Sequence, residues 1–479
     1  METTSVISKP KKKQKLNEEE NIDGNNKCLV NLPEEILLHI LSFLKTKDAV
    51  RTSVLCKRWE YLWASIPNLD FNQLHSSPAK RKRKRTLFMK FVERALSLRD
   101  SSFIERFTLR CDVLSDVSCV NMWISAAISH NVQELYIELE NFEGDFSLPH
   151  CLFTSKTLTS LGLYMCCILK LPTTICFSNL KFLRIGKVTF SDEYLTQQFF
   201  SGLPVLEELE LNGCSWVGLK VVRISAPKLH SMSIFEFESY EDGGCQVMIF
   251  GVSLKKFHYS GLLSSEYCLY ESLSLEKACI YLETKNTSEQ IAHRVYKLLS
   301  GLSNIEVLGL SSKAVKVLIY AAELLSHIPM FNNLVDLKLT VNEMSMDLDH
   351  EALLEILQRS PCLENLEFWT GGLTANCEED DRILDPVPPC FLSHLKRIKV
   401  NCYDGDENKL SAIKILLKKA VVLEKIVIFI SVYPAQKFDN LVKFCKQLIE
   451  LPRGSQNCKI VLKWYDCSGE MSKKCRIVL

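Results

Sequence analysis

The fold turns on the stretch Leu203-Pro204-Val205-Leu206-Glu207-Glu208-Leu209-Glu210-Leu211. Leu206, Leu209 and Leu211 are spaced apolar-x-x-apolar-x-apolar. Leu209 and Leu211 flank an acidic residue, as a short strand with one buried face requires. Leu206 anchors the turn entering that strand, and Leu203-Pro204 reads as a helix end. Upstream the same spacing occurs at Ile104-Phe107-Leu109, Val132-Leu135-Ile137, Leu158-Leu161-Leu163 and Leu180-Leu183-Ile185. Downstream it recurs at Leu229-Met232-Ile234, Leu254-Phe257-Tyr259, Leu275-Ala278-Ile280 and Ile305-Leu308-Leu310. It continues at Leu334-Leu337-Leu339, Leu363-Leu366-Phe368, Leu395-Ile398-Val400 and Leu423-Ile426-Ile428. Successive starts lie between 21 and 32 residues apart, an interval that scattered leucines would not keep.

A period of this length is that of a leucine-rich repeat. Units stacked side by side place their strands in one parallel wall, with helices or irregular segments returning behind it. Val315–Leu325, Glu351–Leu357 and Ala412–Leu423 show helical spacing, so the longer intervals after Leu275 are expected to hold helices. Glu236–Gly251 is the weakest repeat.

Ahead of the repeats, Leu32 to Trp63 carries more apolar surface than so small a piece buries alone. Pro33 suits the first position of a helix, and Glu34 and Glu35 follow in its first turn, where the helix dipole favours negative charge. Ile36, Leu37, Ile40, Leu41 and Leu44 recur at helical spacing. Thr46 is placed as the N-cap of a second helix carrying Ala49, Val50, Ser53, Val54 and Lys57 along one side. The surplus predicts a partner helix from another protein.

Leu-Pro-Glu-Glu-Ile-Leu at Leu32–Leu37, Lys47–Val50 and Val-Leu-Cys-Lys-Arg-Trp at Val54–Trp59 together resemble an F-box. Trp63 and Pro67-x-Leu69-x-Phe71 fit the version found in plant leucine-rich-repeat F-box proteins. The resemblance implies docking on a Skp-type adaptor, and through it on a cullin-RING ubiquitin ligase. It assigns that contact to Leu32, Pro33, Ile36, Leu37, Ile40, Leu41, Leu44, Val50, Val54 and Trp59. A second resemblance, to the FBD domain ending many such proteins, rests on the stretches Pro388–Leu392, Leu416–Ala420, Leu451-Pro452-Arg453-Gly454-Ser455 and Cys458–Leu462. Physically this unit reads as a cap over the exposed end of the stacked core.

Composition narrows the function class. Of 479 residues, 47% are apolar and 24% charged, the balance of a folded chain. The net charge of +1 gives no global attraction to nucleic acid or anionic membrane. No run of about 18 apolar residues suggests a transmembrane span, and the polar N-terminus lacks the apolar stretch of a secretory signal. The 20 cysteines form no Cys-x-x-Cys pair, so neither zinc spacing nor a disulfide framework is expected. Cys166, Cys214 and Cys279 read as small buried hydrophobes. The basic run Lys80, Arg81, Lys82, Arg83, Lys84 and Arg85 reads as a solvated linker with a nuclear-localisation pattern, aided by Lys9–Lys15. Catalytic motifs such as Gly-x-Ser-x-Gly, the phosphate-binding Gly-x-x-x-x-Gly-Lys-Ser/Thr and His-Glu-x-x-His are missing. His230, His258 and His394 lie at or beside repeat strands, where structural roles are commoner.

The expected organisation is α/β, a small helical F-box followed by a leucine-rich-repeat solenoid capped by an FBD-like unit. Its boundaries are a disordered tail at 1–27, the F-box at 28–75, a basic linker at 76–100, repeats at 101–387, the FBD-like cap at 388–465 and a mobile tail at 466–479. The function expected is that of a substrate-recognition subunit of a Skp-cullin-F-box ligase, with no catalytic residue, metal, cofactor or membrane partner, in the nucleus or cytoplasm. The target protein is left open. The alternatives are a non-degradative scaffold on the same adaptor and a nuclear nucleic-acid binder using Lys80–Arg85.

Overall fold

The computed structural model describes residues 32–73, 81–100, 102–112, 117–140, 144–237, 244–283, 287–348, 350–375, 383–403, 407–430, 445–465 and 471–478. The 1–27 tail, Lys80 and the acidic cluster Glu378–Asp381 lie outside these residues. Within them an 18-stranded sheet forms the wall, and successive repeat strands pair parallel in chain order. One register line of buried residues runs from Leu69 through Phe107, Leu135, Leu161, Leu183 and Leu209. It continues to Met232 and on, repeat by repeat, to Leu337, Leu366, Ile398, Ile426 and Ile460. All of these side chains are buried. A one-residue slip would turn the whole line outward, so burial fixes the register.

The wall is longer at both ends than the motif search indicated. Asn68–Asn72 pairs parallel with Arg106–Asp112, Leu69 opposite Phe107 and Phe71 opposite Leu109. Ile66, Leu69 and Phe71 therefore form a further copy of the motif, with all three side chains buried. The parallel pairing of the wall thus begins ahead of residue 101, inside the segment 28–75. At the other end, Lys459–Tyr465 adds a strand with Ile460 opposite Ile426. Asn457 stands where its first apolar residue should be, so the pattern was hidden; the neighbouring Cys458 is buried instead.

Two expectations about connecting segments are corrected. The 76–100 linker contains a helix, Arg81–Ser97. Phe88, Met89, Phe91, Val92, Ala95 and Leu96 pack on the core, and the Phe91 ring meets Phe71 edge-on at 5.8 Å. Arg81 to Arg85 of the basic run open that helix, so the segment is not wholly a solvated linker. The 466–479 tail is not simply a mobile end, because Met471–Val478 pairs antiparallel with Lys459–Tyr465. It covers the last parallel edge, which would otherwise present unpaired N–H and C=O groups. The segment 388–465 continues the same wall through Arg397–Tyr403, Lys425–Ile430 and Lys459–Tyr465.

Repeat length decides what returns behind the wall. Three short repeats, around residues 206–275, hold no helix among the described residues. Their returns are Val221–Ser225, Gln246–Phe250 and Glu266–Tyr270, which form a second, three-stranded parallel sheet. Longer repeats hold helices: Glu289–Ser300, Glu351–Gln358 and Glu407–Lys419. Ser288 caps the first of these, accepting from the Ile291 N–H. The helix expected at Val315–Leu325 divides into Ser312–Lys316 and a 3-10 stretch, Val317–His327, interrupted at Ala321 (φ −132°, ψ 58°).

Glu236 is buried where the two sheets meet, in the repeat whose pattern is weakest. It accepts from the hydroxyls of Tyr259 and Tyr267, each at 2.7 Å, and from the Ser264 N–H at 2.8 Å. A buried carboxylate so satisfied is tolerated where an unpaired one would be expelled. Gly261 (φ +150°) passes so close that a Cβ would lie 2.5 Å from the Glu236 carbonyl oxygen. Glu236 is thus a structural anchor, and its repeat looks degenerate because a polar network replaces leucines there.

Candidate functional site

The N-terminal helical unit is built from the helices Glu34–Ser42 and Thr46–Arg51, followed by 3-10 turns at Thr52–Val54, Lys57–Trp59 and Leu62–Ser65. The second helix is shorter than its spacing suggested. Thr52 and Ser53 turn their hydroxyls back onto the carbonyls of Ala49 and Val50, both at 2.7 Å, a competition that ends helices. Thr46 is not the N-cap; that position is Lys45. The buried Thr46 hydroxyl instead accepts the backbone N–H of Asp70 at 2.7 Å, on the first wall strand. Leu37, Leu41, Ala49, Trp59, Leu62 and Trp63 join the core that includes Ile66 and Leu69. The unit is therefore fastened to the end of the wall.

Fastening one side leaves the other open. Ile36 is 45% exposed, Phe43 76%, Val54 87% and Leu55 66%, and Leu44 is also exposed. Burying such side chains against a partner stabilises by roughly 25 cal/mol per Å² of apolar surface. Of the residues assigned to adaptor contact, Pro33, Ile36, Leu44 and Val54 are exposed and Leu32, Ile40 and Val50 half-buried. Leu37, Leu41 and Trp59 are buried and support that surface from beneath. The Leu32 carbonyl accepts from the Arg58 guanidinium at 2.5 Å, which ties the start of the first helix to the later turns. Phe43, Leu55 and Tyr61, outside the residues assigned to adaptor contact, are exposed on the same unit. Periodicity selects the buried face, whereas the signal for these is an apolar residue adjacent to one already in phase, as Leu55 is to Val54.

The wall's outer face carries the alternate residues of each strand. In the first repeats its charges are matched across strands: Arg106 with Glu134 at 2.6 Å, Arg110 with Glu138 at 3.2 Å and Arg184 with Glu210 at 3.4 Å. Tyr136 lies over Gly162 and Tyr164 over Gly186, where a Cβ would meet the rings at 2.5 Å and 2.3 Å. The glycines let the rings lie flat along the surface. Farther on, the His258 ring sits between Phe235 and Tyr281, at 5.2 and 5.6 Å, and burial lowers its basicity.

Nothing in this arrangement assembles a reactive centre among the described residues. Burial pushes the thiols of Cys111, Cys167, Cys214 and Cys390 up to about 12, which keeps them protonated and inert. Cys166, expected in the interior, is exposed, because it falls on the outward phase beside buried Cys167. Glu289, His293 and Glu323 bring ligand atoms within 4.8 Å of one another. His293 Nδ1 lies 2.9 Å from its own helix's Glu289 carbonyl, Nε2 lies 4.0 Å from Glu323, and both carboxylates are exposed, as is common for surface acidic groups that hold no ion. Of Lys80–Arg85, Arg81 to Arg85 lie in the Arg81–Ser97 helix.

A helical unit with an exposed apolar face, fused to a parallel repeat wall, defines a modular repeat chain. Comparison with known families specifies which. The F-box domain matches residues 29–71, and the LRR domain described as At1g61320/AtMIF1 matches residues 101–450. Over 473 residues the chain is 30% identical to the F-box/LRR-repeat protein At3g59210 of Arabidopsis thaliana, covering 92% of this chain and 95% of the relative. It is 28% identical to the F-box/FBD/LRR-repeat protein At5g56420 of the same plant, over 90% of this chain and 98% of the relative. The chain belongs to the F-box/LRR-repeat proteins. That architecture is typical of non-catalytic substrate receptors; the F-box implies binding to a Skp-type adaptor and the repeats imply protein binding.

Proposed function

We propose that the chain is the target-recognition subunit of a Skp-cullin-F-box ubiquitin ligase. The observation that carries this reading is the exposed apolar face of Ile36, Phe43, Leu44, Val54 and Leu55 on a unit whose opposite face is fastened to the wall. The adaptor covers that face, and the wall holds the target. The mechanism is proximity: a bound target experiences a high effective concentration of the ubiquitin-charged enzyme held elsewhere in the ligase. Rigidity of the joint between helical unit and wall matters here, because proximity is lost if the target can swing away.

The test is co-purification with a recombinant Skp-type adaptor. Val54→Asp with Leu55→Asp should abolish capture without lowering the melting temperature, because both side chains are solvent-facing. Leu32→Ala with Pro33→Ala should weaken it. Undiminished capture by the Val54/Leu55 variant would place the docking surface elsewhere.

A further inference from the structure

The middle of the wall departs from the charge matching of its flanks, where Arg106 meets Glu134, Arg184 meets Glu210 and Lys399 meets Glu367. Lys256 and Lys277 are exposed register partners on the adjacent strands Lys256–Gly261 and Lys277–Leu282. Adjacent strands lie about 4.8 Å apart, so the two stems leave the outer face side by side. Like charges placed directly opposite on neighbouring strands are destabilising. Neither ammonium has an ion pair or hydrogen bond among the described residues. The carboxylate of Glu276, in the turn before Lys277, is taken by Lys255 at 3.0 Å.

Further donors surround the two lysines. On the strand Ser231–Phe235, Ser231 is the register partner of Lys256 and Ser233 that of His258. Both serines are half-buried, and neither hydroxyl is engaged by another described side chain. His258 follows Lys256 on the same face, about 6.6 Å along the strand. The carboxylates one strand farther out are turned elsewhere. Glu210 lies 3.4 Å from Arg184 and accepts from the Tyr164 hydroxyl, and Glu208 lies 4.0 Å from His230. On the opposite side the register partners are Val307, beside Lys277, and Gly309, beside Cys279. A Cβ at Gly309 would come within 3.0 Å of the Cys279 sulfur and of the Tyr281 hydroxyl oxygen. Ser231, Ser233, Cys279 and Gly309 thus make a low floor, and Phe235 and Tyr281 border it toward the strand ends.

Donors gathered without an acceptor suit an anion with several oxygens. A phosphate monoester brings nearly two negative charges and three acceptor oxygens, and lysine holds it as a point charge. A carboxylate brings one charge and would leave one of the two lysines uncompensated. We infer that the patch around Lys256 and Lys277 binds a phosphorylated serine or threonine of the target. The inference rests on the reading that the wall is the target-binding face, and adds the chemical class of target. The phosphoryl oxygens lie between the two ammonium groups and accept from the Ser231 and Ser233 hydroxyls and the His258 ring. A neighbouring apolar side chain of the target packs on the exposed parts of Phe235 and Tyr281.

The experiment uses the full chain bound to its adaptor and two immobilised peptide libraries with randomised flanks. One carries phosphoserine at a fixed position and the other serine. Retention should be at least about tenfold greater on the phosphoserine library. Lys256→Ala with Lys277→Ala should remove that excess without lowering the melting temperature, because both side chains are solvent-facing. Lys256→Arg with Lys277→Arg should keep it, and Arg106→Ala, whose charge is matched by Glu134, should leave it unchanged. Equal retention on the two libraries overturns the inference, as does an excess that survives in the alanine variant. Equal retention on a third library with aspartate at the fixed position would show that negative charge alone is read and overturns it too. Binding of inorganic phosphate or of a single-stranded oligonucleotide without retention on phosphoserine would place the ligand in another class. Retained adaptor capture in the same samples separates these failures from failure of the receptor reading.

Discussion

Leu37 and Val54 carry the same class of side chain and opposite duties. Leu37 is fully buried; Val54 is almost fully exposed. Leu37→Ala should cost about 2–5 kcal/mol of stability and lower the melting temperature, with adaptor binding lost only as the unit unfolds. Val54→Asp should do the reverse. The helical unit was legible in sequence because periodicity reports the buried face; the docking face was only half legible because residues off that period leave no regular mark. Glu236 presents a second residue-scale case. Burial, then the charge of Glu236, raises the Tyr259 and Tyr267 phenols well above their usual range. The unfolded chain releases those protons near pH 10 while the folded chain keeps them, so stability is full below about pH 10 and falls as pH rises further. Urea midpoints across that range should fall, and the fall should be shallower in Tyr267→Phe. At neutral pH the same change should cost about 1–3 kcal/mol, because it leaves a buried carboxylate oxygen without its donor.

At the scale of elements, Thr46 joins two units that the sequence reading kept apart. Its hydroxyl reaches the backbone of Asp70, on the strand that both ends the F-box match and starts the wall. Thr46→Val keeps the shape and removes the acceptor. It should cost about 1–3 kcal/mol and speed amide exchange at Asp70, measured by hydrogen–deuterium exchange. No deuterium change at Asp70 would show that the joint is held by packing alone. The Ile66-Leu69-Phe71 copy was readable in principle, since it obeys the same spacing as every other unit. In sequence these residues coincide with Pro67-x-Leu69-x-Phe71, the tail of the F-box resemblance, which masks the repeat spacing. The Arg81–Ser97 helix was obscured differently: its opening charges suggested a solvated linker, while the packing residues Phe88, Phe91, Val92 and Ala95 follow later. Repeat strands were the most legible elements, because a fixed register imposes one apolar pattern on each.

At the scale of the whole molecule, a parallel wall needs both ends closed. The helical unit closes one end and the antiparallel strand Met471–Val478 the other. Truncation before Met471 should expose the Lys459–Tyr465 edge and produce concentration-dependent association, detectable by light scattering; a truncated chain that stays monomeric would show that the edge is protected otherwise. On the proposed reading the closed N-terminal end is also the docking end, and the wall would project from the adaptor. The central claim is that the wall delivers a bound target for ubiquitin transfer. Its most direct measurement is a reconstituted ligase containing adaptor, cullin, RING subunit and charged ubiquitin-conjugating enzyme, supplied with proteins captured on the wall. The account predicts ubiquitin on those proteins with the wild-type chain and none with Val54→Asp/Leu55→Asp, although that variant still captures them. Captured proteins that remain unmodified by the complete wild-type ligase would contradict it.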